Sequence, residues 1–166
     1  FAENRDGIAA VCAELSERFA RAGVKCQNPS DGAKVKWGKL VWNVPFSGLS
    51  LYYGGVATDA ILADPDREAF ARGLMREVLS ASEACGVRLD PRAPEQNLSQ
   101  TRGMGAYRPS MLVDFLLHRP VEVSAIVAEP LRRGLAAGAS LPLMAELLAG
   151  IRRVLERAGA EEGPGV

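Results

Sequence analysis

The sequence predicts a mainly α domain: a bundle of six or seven helices after a short α/β remnant. Three observations carry this. Apolar residues recur at helical spacing, most plainly Phe70, Leu74, Val78 and Ala81, and again Leu141, Leu143, Leu147, Leu148, Ile151, Val154 and Leu155. Helix stop and start signals, such as Gly86 and Pro142, fall at the ends of these stretches. Extended character is suggested only by Val24-Lys-Cys-Gln27. At 166 residues and 48% apolar, the chain suffices for one ordinary core.

The elements follow in order. Ile8, Val11, Leu15 and Phe19 form the stripe of a first helix, with Glu14, Glu17, Arg18 and Arg21 on its other faces. Gly23 stops it, and the extended Val24–Gln27 follows. Residues 1–28 thus read as the last helix and strand of an α/β domain, and the main helical domain as 29–160. Asn28-Pro-Ser-Asp31 is a turn and a helix start. The next helix spans about Asp31 to Tyr52, bent or broken near Pro45 and Gly48, since proline removes a backbone donor and crowds the preceding turn. Gly54-Gly55 interrupts, and a short helix covers Ala57 to Leu62.

Arg67 to Cys85 is the clearest helix, ended by Gly86. Residues 89–109, rich in Pro, Gly, Gln, Asn and Ser, read as a long irregular stretch. Ser110 caps a helix to about His118, another runs from Val121 to Ala137, and Pro142 opens a last one to Ala158. Residues 161–166 read as a flexible tail.

Several function classes drop out. Net charge is zero, so no basic field invites nucleic acid. No apolar run approaches the roughly 18–20 residues that cross a membrane. The polar start, Phe-Ala-Glu-Asn-Arg-Asp, lacks a signal-peptide pattern, and the missing initiator Met suggests a piece of something longer. Cys12, Cys26 and Cys85 are odd in number and far apart, which fits reduced thiols in the cytoplasm and neither a disulfide framework nor a metal site. His118, the single histidine, reads as a helix end.

The chemistry-bearing residues lie in Val35-Lys-Trp-Gly-Lys-Leu-Val-Trp-Asn-Val-Pro-Phe-Ser-Gly-Leu49. Lys39, Asn43 and Ser47 stand four apart and share one helix face. An ammonium and an amide set among Trp37, Leu40, Val41, Trp42, Val44 and Phe46 are costly to bury without partners, which points to a task. The chain has sixteen arginines and four lysines. A lysine can give up its proton under desolvation where an arginine effectively cannot, so a proton donor here has to be lysine. The plain alternative is a solvated helix start carrying Lys34, Lys36 and Lys39. A second cluster holds Ser110, a helix cap by type, and Glu122, a first-turn acid beside Arg119.

The ordered set Trp37-x-Lys39-Leu-x-x-Asn43, Glu77 with Glu83-Ala-x-Gly86, Pro109-Ser-Met-x-x-Asp114, Arg119-Pro-x-Glu122-Val, Gly138 and Pro142 resembles the C-terminal helical domain of the ketopantoate reductases (2-dehydropantoate 2-reductases). The resemblance covers about residues 30–157 and implies a helical domain of the 6-phosphogluconate-dehydrogenase-like type. It implies NADPH-dependent reduction of a 2-oxo acid to the 2-hydroxy acid. Lys39 would then donate a proton to the ketone oxygen, and Glu122 would orient the lysine and the substrate hydroxyl. Asn43 would bind substrate and Ser110 its carboxylate. Ser47, a further expected substrate-binding residue, departs from the second asparagine that many members carry, which points to a preference shifted from ketopantoate, and Tyr52-Tyr53-Gly-Gly-Val-Ala57 offers two phenols and no amide. The GxGxxG fingerprint is missing, so the cofactor is expected to be held mainly by a domain upstream of this chain. Expected partners are a small 2-oxo acid and a second copy of the helical domain, with neither nucleic acid nor membrane. Competing readings are a related hydroxy-acid or opine-type dehydrogenase and an inactive helical dimerisation module.

Overall fold

A computed structural model describes residues 2–24, 32–159 and 163. The chain divides into two compact units, 1–35 and 36–166. In the first, α1 runs Ala2–Arg21. It ends as the sequence requires: Gly23 takes a left-handed φ of 75°, its amide meets Ala20 O, and the Val24 amide reaches back to Phe19 O. Val11, Leu15 and Phe19 of the expected stripe are exposed. Beyond Val24, the expected strand and the turn at 28–31 lie outside the described residues.

From α2 onward the described residues are helical: α2 (Gly32–Tyr52), α3 (Thr58–Leu62), α4 (Pro65–Ala84), α5 (Ala93–Arg102), α6 (Ser110–Leu116), a π-helical turn Ser124–Ala128 leading into α7 (Glu129–Ala136), and α8 (Pro142–Ala158). The expected helical class is what forms.

Four local expectations are corrected. Helix α2 runs through Pro45 unbroken, because Val44 to Leu51 is wholly buried and packing holds the helix despite the missing amide. Helix α4 starts at Pro65, two residues before Arg67, because Asp64 caps it by accepting the Asp66 and Arg67 amides. The irregular 89–109 contains α5. Its polar face hid it, yet Leu98 is buried and Arg72 bridges Glu95 and Glu68. Finally, Val121 precedes its helix, which begins at Val123 and widens at once into the π-helical turn.

Helix α4 is the hub, packed against α3, α5, α7 and α8. Leu74, Met75, Val78 and Ala81 of α4 are fully buried, with Val41, Val44, Phe46, Leu49 and Leu51 of α2 and Met144, Leu147 and Ile151 of α8. Two glycines let α8 lie close to α2. A Cβ at Gly48 would come within 2.7 Å of Leu147, and one at Gly150 within 2.2 Å of the Tyr52 ring.

The tail touches the bundle at one described point. Gly163 is buried, and its amide donates to Val121 O at 2.8 Å.

Candidate functional site

Helix α2 supplies the stripe. Lys39 is exposed, Asn43 half-buried and Ser47 only 2% exposed, so the stripe descends from surface to core over two turns. The apolar setting expected for Lys39 is corrected here. Trp37 and Val41 share one face and are buried. Lys39 is two residues from each, about 200° round the helix, and so faces away from them.

A second segment runs beside α2. The Trp42 indole N–H donates to Thr101 Oγ1 at 2.9 Å, and that hydroxyl donates to Asn97 O at 2.6 Å. The Trp42 ring meets Tyr107 edge-on at 5.9 Å and Phe46 at 5.2 Å. Thr58, fully buried at the start of α3, holds the same segment: its amide donates to Tyr107 O at 3.0 Å, and its hydroxyl lies 3.0 Å from Gly105 O and 3.2 Å from Tyr107 O. Farther on, α6 seats against the turn that ends α2. Gly55, at φ 109°, faces Leu112, Phe115 and Leu116, and a Cβ there would lie 3.8–4.0 Å from them. Ser110 thus follows Tyr107, which touches Trp42, by three residues and precedes Leu112, which faces Gly55, by two.

Ser110 is not the N-cap. Pro109 occupies the cap position with an extended backbone, and Ser110 is the first helical residue, exposed. Its hydroxyl is therefore not consumed in capping.

Helix α6 ends in a tight left-handed cap. The His118 amide donates to Phe115 O and the Arg119 amide to Asp114 O, with His118 at φ 54°. The same hydrogen-bond pattern closes α1, α2, α4 and α7 with glycine at the left-handed position: Gly23, Gly54, Gly86 and Gly138. His118 stands where glycine is preferred, in keeping with its reading as a helix end. This turn leads to Glu122, which is exposed between buried Val121 and Val123, just ahead of the helix. Arg119 pairs with Asp114 at 3.7 Å rather than with Glu122.

Lys39, Asn43, Ser110 and Glu122 make no side-chain hydrogen bond or ion pair among the described residues. An ammonium, an amide, a hydroxyl and a carboxylate left without internal partners can recognise a carbonyl and a carboxylate, and the ammonium can supply a proton. No group of His, Cys, Asp and Glu among the described residues could hold a metal ion. No helix of the described residues is long and apolar enough to cross a membrane.

The two phenols are engaged elsewhere. Tyr52 OH donates to Glu146 at 3.1 Å; burial and then that carboxylate raise its pKa. Tyr53 lies under the Arg67 guanidinium, 4.5 Å from its ring centre, and burial raises its pKa too. Sequence reasoning passed over Thr58 and Thr101, whose residue type carries no signal, and took Trp42 only as an apolar neighbour.

Comparison with known proteins identifies the family. The family described as "Ketopantoate reductase PanE/ApbA C terminal" matches residues 31–155. A 2-dehydropantoate 2-reductase of Nostoc sp. is 34% identical over 136 residues, 82% of this chain and 42% of that protein. The crystal structure of 2-dehydropantoate 2-reductase from Methylococcus capsulatus superposes with TM-score 0.84 at 29% identity, covering 90% of this chain and 48% of that one. The enzyme from Geobacter metallireducens superposes with TM-score 0.82 at 33% identity, covering 87% and 48%. The chain spans about half the length of these relatives. Sequence and fold agree: the chain belongs to the ketopantoate reductase family, of which it comprises the helical C-terminal domain.

Proposed function

We propose that this chain is the substrate-binding and catalytic half of a reductase that converts a 2-oxo acid, ketopantoate or a relative, to its 2-hydroxy acid. One observation carries the reading: Lys39, Asn43, Ser110 and Glu122, all within the stretch that the family matches, lack internal side-chain partners among the described residues. Charge grows on the ketone oxygen as the carbonyl is reduced. The Lys39 ammonium stabilises that oxygen and gives it a proton. Asn43 hydrogen-bonds the substrate one turn deeper, Ser110 holds its carboxylate, and Glu122 orients the lysine and the new hydroxyl. Ser47 closes the inner end of the stripe.

The described residues carry no dinucleotide fingerprint. Gly103-Met104-Gly105 leaves the end of α5 with no strand before it, so no phosphate cradle forms. We propose NADPH as the reductant on family grounds, bound mainly by a domain upstream of this chain. We propose likewise a cytoplasmic enzyme, supported by the free thiols of Cys12 and Cys85, and self-association through the helical domain, which light scattering on the intact protein tests.

The experiment is Lys39→Ala in the intact protein, assayed with ketopantoate and a panel of 2-oxo acids. Turnover should fall by about two to four orders of magnitude, the scale of a positioned proton donor, with the helical far-UV signal unchanged. Lys39→Arg should not restore it, because guanidinium keeps its proton. Near-normal turnover of Lys39→Ala on the best substrate overturns the reading.

A further inference from the structure

We infer that Thr58 is a positioning residue for substrate binding: it fixes the backbone of residues 105–107 and thereby sets Ser110 against the α2 stripe. The inference rests on the proposed function, in which Ser110 holds the substrate carboxylate.

Segment 103–109 forms no regular element of its own, and its only route to a fixed geometry is contact with its neighbours. Tyr107 and Arg108 are exposed, and Gly105 turns at φ 63°, so burial does not lock them. The Tyr107 amide is used locally, on Gly105 O at 2.8 Å. That same Gly105 O and Tyr107 O both lie within hydrogen-bond reach of Thr58. That residue meets them with its amide at 3.0 Å and with its hydroxyl at 3.0 and 3.2 Å. Thr58 is fully buried, so its hydroxyl has no water to bond with instead and is committed to these carbonyls. Trp42 braces the same segment from α2 through Tyr107 and Thr101. Three residues beyond the clamp, Ser110 begins α6 with its hydroxyl unengaged. A slack clamp would let the first turn of α6 shift, and the Ser110 hydroxyl with it, and a misplacement of about 1 Å is enough to weaken a positioned contact.

The test is a double-mutant cycle in the intact protein, reading KM and kcat for ketopantoate or the 2-oxo acid it reduces best. Thr58→Val removes the hydroxyl and keeps the shape. It should raise KM for the oxo acid about tenfold, the scale of one lost buried hydrogen bond, with KM for NADPH and kcat little changed. Thr58→Ser, which keeps the hydroxyl, should behave as wild type. In a Ser110→Ala background, Thr58→Val should add nothing, since its effect passes through Ser110. Hydrogen exchange should quicken only across residues 105–112, with α4 and α8 as protected as before.

If Ser110→Ala raises KM but Thr58→Val does not, or its effect adds fully to that of Ser110→Ala, Thr58 is not a positioning residue and the proposed function stands. If Ser110→Ala leaves KM unchanged, the role of Ser110 falls and this inference falls with it. Should Thr58→Val lose protection throughout the bundle, Thr58→Ser decides: wild-type KM supports the inference, and a raised KM overturns it.

Discussion

The Glu77 carboxylate of α4 caps α8, its Oε2 2.7 Å from the Met144 amide and its Oε1 2.8 Å from the Leu143 amide. The cap position itself, Leu141, has no side chain that can accept, and Pro142 has no amide to give. A residue 66 positions before Leu143 therefore satisfies two first-turn donors of α8, and its carboxylate sits at the positive end of the helix dipole.

Removing that cap should be felt by the whole bundle. Glu77→Ala is expected to cost about 1–3 kcal/mol, because two donors of α8 lose a charged partner. Glu77→Gln, which keeps one acceptor, should cost less. Urea unfolding monitored by circular dichroism measures both, and equal midpoints for wild type and Glu77→Ala would show that solvent caps α8 just as well.

The crossing of α8 and α2 sets a steric limit. Gly150→Ala places a methyl 2.2 Å from Tyr52 Cε2, so the ring must move from its bond to Glu146. Overpacking of this kind costs about 1–3 kcal/mol. Tyr52→Leu should relieve much of it, giving a non-additive double mutant in thermal unfolding. Additive effects would mean that the helices separate instead.

Under the proposed function, Ser47 bears on which 2-oxo acid is preferred. It lies on the buried end of the stripe, at the position where the resemblance expects a second asparagine. A polar contact not remade is worth about 1–3 kcal/mol, so ketopantoate should be used roughly ten- to a hundredfold less well than the best substrate. Ser47→Asn should raise kcat/KM for ketopantoate. Ordinary efficiency on ketopantoate in wild type, unmoved by Ser47→Asn, would make Ser47 a packing residue.

Glu129 gives a local pH dependence. Arg132 grips it with two bonds of 2.8 Å and Arg133 adds one of 2.6 Å, and these hydrogen bonds lower its pKa to about 2. A depressed carboxylate stabilises the fold above its unfolded pKa, near 4.5, and that contribution fades as pH falls towards 2. Glu129→Gln should therefore lower stability at pH 7 and approach wild type near pH 2. A Glu129 carboxyl that titrates near 4.5 by NMR would show that solvent screens the cluster.

The sequence by itself determined the helical class, the ends of α3 and α8, and the i,i+4 stripe of Lys39, Asn43 and Ser47. These follow from apolar periodicity and from proline and glycine at helix ends, which act within a few residues. It also determined the ordered residues that mark the family. It did not reveal α5, whose short sequence is polar and whose burial hangs on Leu98 and on Thr101 beneath Trp42. It misjudged Lys39, because neighbours in sequence are not neighbours on a helix surface: rotation decided that Trp37 and Val41 go inward and Lys39 outward. Only tertiary structure decided that Glu77 would cap α8 and that Thr58 would clamp the approach to Ser110. Both pairings span long stretches of chain, 66 residues for Glu77 and about 50 for Thr58, and no local pattern encodes them.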